Sequence, residues 1–260
     1  MQIKIDTNTR MITQDGNAPI ELYSPEGFKF ISDLYVKVGW DQKQLYSYSW
    51  LGRPIIQIPD DAFRIQEVIY SLKPDFVIET GVAHGGSLIF YASILKAMGH
   101  GKVVGIDIEI RPHNREAIDS HELSSMITLL EGSSTSEKMV EQVKKVVGDA
   151  KKTLIILDSC HDYEHVKKEL ELYAPLVSMG SYIIATDGSQ EFMRDVPRAS
   201  RDYPSKYKGW DLNNPRKAAL DFTSENKKFV VEEPAFPFNE GYIKDRVTHW
   251  PDAYIKRVGI

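Results

Sequence analysis

Residues 75–87 read Asp-Phe-Val-Ile-Glu-Thr-Gly-Val-Ala-His-Gly-Gly-Ser, and the apolar run Leu88–Leu95 follows at once. Phe76-Val77-Ile78 is a short β-branched and aromatic run, the composition of a buried strand. Gly81, Gly85 and Gly86 carry no Cβ, so they allow a tight turn and a close approach of backbone to a ligand. Ser87 is a candidate cap for a helix beginning Leu88-Ile89-Phe90-Tyr91, whose free N–H groups would point back at the loop. Strand, glycine turn and helix start, in this order, predict the cofactor site of a doubly wound α/β sheet. The plainer reading is a glycine turn that only packs helix on strand; the acids found downstream favour a site.

The loop also discriminates among cofactors. The dinucleotide fingerprint G-x-G-x-x-G is absent, because the glycines run G-x-x-x-G-G. The phosphate loop is nearly matched by Gly81 to Gly86, yet Ser87 stands where its lysine must be. Glu79, at the carboxyl end of the strand, would set a like charge against a pyrophosphate. It suits a ligand with an amino group and a sulfonium. S-adenosylmethionine therefore fits better than NAD or ATP, with Glu79, Gly81, Gly85, Gly86 and Ser87 around it.

The 260 residues suffice for one large α/β domain and an additional segment. The formal charge of −5 is spread over both signs without long blocks, which gives no support for nucleic-acid binding. The single cysteine, Cys160, rules out an internal disulfide and suits a reducing compartment. The start, Met-Gln-Ile-Lys-Ile-Asp-Thr-Asn, lacks the apolar core of a signal peptide, and no apolar run is long enough to span a bilayer. A cytoplasmic protein is expected, with neither membrane nor nucleic acid as partner.

Residues 1–58 are expected to form an irregular but ordered arm, rich in aromatics such as Tyr23, Phe28, Tyr35, Trp40, Tyr46 and Trp50. The arm would pack on the core or on another subunit of a homo-oligomer, or close over a substrate as a lid. Residues 59–260 are expected to form the Rossmann-like domain. Pro59-Asp60-Asp61 opens a helix through Leu72, which Lys73-Pro74 ends. Strands are predicted over 102–108, 127–130, 153–157 and 181–186, and helices over 87–98, 115–120, 136–147 and 163–173. Such alternation predicts a mostly parallel sheet with helices on both faces. Residues 229–232 and 253–258 read as two further strands, an antiparallel pair at the sheet edge. No internal repeat or dividing linker is visible.

Acids recur at the predicted strand ends: Glu79, Asp107, Asp158 and Asp187. Ligands of open α/β sheets bind beyond these ends. Asp107, with Ile108 beside it, is placed to accept hydrogen bonds from ribose hydroxyls; its plainer role is a turn or cap aspartate. Gly132-Ser133-Ser134 could lie along an adenine edge, although capping of the 136–147 helix accounts equally well for one of the serines. If the strands before Asp158 and Asp187 are neighbours, the two carboxylates face each other and need a cation or a proton. Mg²⁺ is the economical solution, against one aspartate capping a helix and the other bonding a loop. His161 sits on the same rim and suits a general base, or else a capping role. Cys160 reads as an inert thiol. His161-Asp162-Tyr163-Glu164-His165 also matches H-x-x-E-H, a zinc-peptidase signature, so His161, Glu164 and His165 are an alternative zinc centre. That alternative leaves the glycine loop and Asp107 unexplained.

These residues together resemble the cephalosporin hydroxylase-like family, which includes S-adenosylmethionine-dependent O-methyltransferases. The matching phrases are Ser49-Trp50-Leu51-Gly52 with Pro54, Glu79-Thr80-Gly81 through Gly85-Gly86-Ser87, and Leu157-Asp158-Ser159 with His161. Glu164-His165-Val166, the run from Glu169 to Val177, and Gly180-Ser181-Tyr182 match as well. The resemblance covers roughly residues 45–260. It implies a class I methyltransferase fold, cofactor contacts at the glycine loop, Asp107 and Asp158, and Mg²⁺ near Asp158 and Asp187. It also implies that His161, three residues after the metal aspartate, is the base. One departure stands out: the family often has an acid pair after the fifth strand, and here Thr186 replaces its first member. The expected activity is methyl transfer to a hydroxyl of a sugar or natural product; a non-catalytic S-adenosylmethionine-binding protein is the alternative.

Overall fold

The structure is a computed structural model that describes residues 2–238 and 240–259. The arm is more regular than its sequence suggests. Strands β1 (Ile3–Asp6), β2 (Met11–Gln14) and β3 (Ile20–Glu21) form a small antiparallel sheet. Helix α1 (Pro25–Asp41) follows, started by Ser24, whose Oγ accepts the N–H of Gly27, with Pro25 in the first turn. Its burial runs against its apolar pattern. It buries Gly27, Ser32, Val36 and Gly39, while Phe28, Ile31, Tyr35 and Val38 are exposed. A Cβ on Gly27 would lie 2.4 Å from the carbonyl oxygens of Glu21 and Leu22, so a small residue is required there. The arm ends in the hairpin β4 (Tyr48–Trp50) and β5 (Arg53–Ile55).

Helix α2 (Pro59–Leu72) leads into the main sheet. The chain then alternates: β6 (Phe76–Thr80), α3 (Gly86–Met98), β7 (Lys102–Asp107), α4 (Pro112–Asp119), β8 (Ile127–Glu131), α5 (Glu137–Val147), β9 (Thr153–Leu157), α6 (Tyr163–Tyr173) and β10 (Tyr182–Ala185). After α7 (Pro197–Asp202) and α8 (Pro215–Glu225) come β11 (Phe229–Val231) and β12 (Tyr254–Arg257). The strand order is β11-β12-β10-β9-β6-β7-β8. Neighbours from β10 to β8 are parallel, and β12 runs antiparallel to both β10 and β11, as expected of the C-terminal pair. The order reverses between β6 and β9, which makes their carboxyl ends the switch point where ligands of such sheets bind.

Side chains alternate across the sheet as the pleat requires. Val77, Val103, Leu154, Ile156 and Ile184 join one core with α2 and α3. Ile78, Val104, Ile155, Leu157 and Ile183 join the other with α5, α6 and α8. Helix α3 begins one residue earlier than expected: Gly85, at φ 79°, is its N-cap, and Ser87 caps nothing. The glycines answer mainly to protein. A Cβ on Gly86 would meet the Pro54 carbonyl oxygen at 2.0 Å, and one on Gly81, itself at φ +91°, would meet that of Asp158 at 2.1 Å. Among the described residues no helix is long and apolar enough to cross a membrane.

Gly86→Ala is expected to push β5 off the first turn of α3 and cost about 1–3 kcal/mol, the usual range for overpacking. A urea midpoint equal to that of wild type would show that the hairpin yields without cost.

Candidate active site

A cleft of about 270 Å³ opens at the carboxyl ends of β6, β9 and β10. It brings together stretches far apart in the chain. Gly81, Gly86 and Ser87 line it from the glycine loop, Asp158 and His161 from beyond β9, and Asp187 from beyond β10. The opposite contribution is aromatic: Trp40 and Tyr46 from the arm, and Tyr203 and Trp210 from the segment between β10 and α8. Trp40 packs against Tyr203 and Trp210, with ring centroids 6.2 and 5.9 Å away. Arg198, almost wholly buried, lies 4.4 Å from the Trp40 ring. Only the arm's aromatic richness hinted at this wall.

Because β9 and β10 are adjacent and parallel, Asp158 and Asp187 meet. One donor atom from each of Asp158, His161 and Asp187 lies within 4.8 Å of the others, and His161 Nε2 is 3.4 Å from Asp187 Oδ2. Asp187 adopts φ 56°, a left-handed backbone uncommon outside glycine and concentrated at functional positions. Burial raises the Asp158 carboxyl well above its usual range, and the charge of Asp187 raises it further; His161 and Thr186 oppose this. Thr186, where an acid was missed in the sequence, presents its hydroxyl to Asp158 Oδ1 and to the Leu157 carbonyl. Two crowded carboxylates beside an imidazole are a donor set that fits a divalent cation.

The H-x-x-E-H reading does not survive. Helix α6 starts at Tyr163, with Asp162 at its N-cap, so His161 lies outside it. His161 turns to Asp187, whereas His165 Nε2 engages Ser159 Oγ at 3.1 Å, Ser134 Oγ at 3.3 Å and Glu169 at 3.4 Å. Glu164 is exposed. The two histidines therefore share no zinc-binding face.

The remaining sequence candidates sit behind or beside the cleft. Glu79 is fully buried and does not border it, contrary to expectation. Ser87 Oγ donates to Glu79 Oε2 at 2.5 Å and Tyr91 donates to Oε1 at 2.9 Å, while burial pushes the carboxyl up to about 8. Asp107 accepts the N–H groups of Val82 at 2.8 Å, Ala83 at 3.3 Å and Glu109 at 3.2 Å, and so braces the glycine loop. Arg53 and Asn114 brace it from outside, through the carbonyls of His84 and Ala83. Ile108 is 70% exposed next to Asp107. Ser133 Oγ pairs with Thr135 Oγ1, and the cap of α5 is Ser136 rather than Ser133 or Ser134. Cys160 is a free, half-buried thiol. Sequence reasoning passed over Gln57 and His249, both buried and both bordering the cleft. A lone Gln or His carries no periodic signal.

Glu79 binds its proton more tightly folded than unfolded. Its contribution to stability is therefore complete below its ordinary 4.5 and is lost as pH rises through about 8. Glu79→Gln should gain on wild type in urea unfolding between about pH 5 and 8. Parallel stability curves for the two proteins would exclude this.

Residues 42–258 match the family described as Rhamnosyl O-methyltransferase/CmcI. The rhamnosyl O-methyltransferase of Mycobacterium leprae is 26% identical over 198 residues, covering 71% of this chain and 83% of that protein. That of Mycobacterium tuberculosis is 32% identical over 132 residues, 50% of this chain and 52% of the relative. Among solved structures, CmcI described with Mg and SAM aligns at a TM-score of 0.51 with 19% identity, covering 82% of this chain and 78% of that one. This last likeness is one of fold. The family match runs without a break from before the hairpin, across the glycine loop and the acid–histidine cluster, to the last strand of the sheet. The chain belongs to the Rhamnosyl O-methyltransferase/CmcI family.

Proposed function

We propose that the protein transfers a methyl group from S-adenosylmethionine to a hydroxyl of a glycosyl or natural-product substrate. One observation carries this reading: a single cleft joins the glycine loop to the Asp158, His161 and Asp187 cluster. The family and the names of its mycobacterial relatives support a sugar hydroxyl as acceptor.

S-adenosylmethionine would supply an electrophilic methyl group, and Mg²⁺ held by Asp158 and Asp187 would supply Lewis acidity for the acceptor hydroxyl. The His161 imidazole accepts the hydroxyl proton, and the carboxylate of Asp187, 3.4 Å from Nε2, stabilises the imidazolium that results. The Gln190 amide holds the His161 backbone carbonyl at 3.3 Å. Thr186 keeps Asp158 directed at the cleft by a hydrogen bond, in place of a third negative charge. The aromatic wall of Trp40, Tyr46, Tyr203 and Trp210 excludes water and offers stacking faces to an acceptor. The last part of the 1–58 arm, from Trp40 to Gln57, thus acts as a substrate wall over the 59–260 domain.

For the cofactor, the loop residues Gly81, Gly85, Gly86 and Ser87 would back the methionyl part, with Asp158 near it. Asp107 would hold the ribose: a carboxylate has about four acceptor sites, and backbone N–H groups fill three of them. Ile108 offers an exposed apolar face to the adenine, with Ser133 and Ser134 at its edge.

Asp107→Ala removes a charged acceptor from both loop and ribose, so its Kd for S-adenosylhomocysteine should rise at least about tenfold by calorimetry. Wild type that binds neither S-adenosylmethionine nor S-adenosylhomocysteine overturns the reading. Binding without turnover on a panel of glycoside acceptors would make the chain a binding protein instead. His161→Ala should lower kcat by about 10²–10⁴, with partial recovery at high pH as the hydroxyl ionises unaided. Asp187→Ala should abolish any Mg²⁺ dependence while leaving cofactor Kd nearly intact. Activity that survives a chelator yet vanishes in His161→Ala would remove the metal and keep the base.

A further inference from the structure

Gln57 sits between the hairpin and α2, is 5% exposed, and borders the cleft. Its Nε2 donates to Tyr91 OH at 3.2 Å, and Tyr91 donates onward to Glu79 Oε1 at 2.9 Å. This chain fixes the amide's orientation. The Tyr91 proton is committed to Glu79, so the phenol oxygen can only accept, and it takes the N–H of Gln57. Gln57 Oε1 is left over, buried and without a hydrogen-bond partner among the described residues. A buried amide oxygen left without a donor is costly, and native proteins satisfy nearly all such atoms.

The surroundings say which donor is missing. The described cleft lining holds no lysine or arginine, whereas the carboxyl groups of Asp158 and Asp187 line it. A cationic N–H donor is what this corner lacks. Asp107 lies on β7, on the far side of β6 from β9, so an adenosine half held there leaves the other half of the cofactor for the centre of the site. We propose that Gln57 Oε1 accepts a hydrogen bond from the α-ammonium group of the cofactor's methionyl part, with Tyr91 and Glu79 as positioning residues behind it. The proposal rests on the S-adenosylmethionine reading above.

The test compares two ligands on two proteins by calorimetry. They are S-adenosylhomocysteine and its desamino analogue, which lacks only the ammonium group, each titrated into wild type and Gln57→Leu. The substitution should raise the Kd of S-adenosylhomocysteine about tenfold and change that of the desamino analogue less than about twofold. Gln57→Met, which keeps the side-chain length, gives the same comparison should the leucine variant fail to fold. An equal loss for both ligands means that Gln57 only supports the cleft wall, and no loss for either means that Oε1 meets water; both overturn the assignment. Wild type that binds neither ligand overturns the cofactor reading itself, a result distinct from these.

Discussion

Two strand ends press against each other at the switch point of the sheet, and the site depends on that contact. The Thr80 carbonyl accepts the N–H of Asp158 at 2.9 Å, and the Asp158 carbonyl comes so close to Gly81 that no Cβ fits between them. The glycine loop and the acid–histidine cluster are thereby held in register by backbone alone. Gly81 adds a φ of +91°, which other residues rarely adopt, so the position is constrained twice over. Side chains on the cleft wall can vary without moving these two halves apart.

A second constraint is electrostatic. Several carboxyls are buried at this end of the sheet, and burial raises each of them: Glu79 to about 8, Asp61 to about 7, and Asp158 well above its usual range. Hydrogen bonds that favour the charged forms hold them in place. Asp61 uses its position to fasten the far end of the chain, accepting the N–H of His249 at 2.9 Å and the hydroxyl of Thr248. That attachment sets His249 on the cleft wall, where burial keeps its imidazole below its ordinary pKa and thus neutral.

The sheet was legible because its strands are short apolar runs bounded by glycine, proline or acids, and buried parallel strands need little else. The strand-end acids were legible for the same reason, although Asp107 also braces the glycine loop and Glu79 lies buried behind the cleft. The reading failed where residues answer to distant partners. Ser87 has the composition of a cap, but a buried carboxyl at Glu79 competes for its hydroxyl, and Gly85 takes the cap instead. Helix α1 has a helically spaced stripe, Phe28, Ile31, Tyr35 and Val38, but that stripe faces outward while Gly27, Ser32, Val36 and Gly39 are buried, so its apolar pattern does not mark a core-facing helix. Gln57, Trp40 and Tyr203 belong to one cleft only after the chain has folded, and no local pattern joins them.

The bracing of the glycine loop has a consequence for recognition. Asp107 holds it by the N–H groups of Val82 and Ala83, Asn114 by the Ala83 carbonyl, and Arg53 by that of His84. Even Ala83, at φ 45°, is kept in a conformation it would rarely adopt alone. A ligand arriving at such a loop finds it already ordered. The conformational entropy is lost when the chain folds rather than when the ligand binds, so more of each contact's free energy appears as affinity.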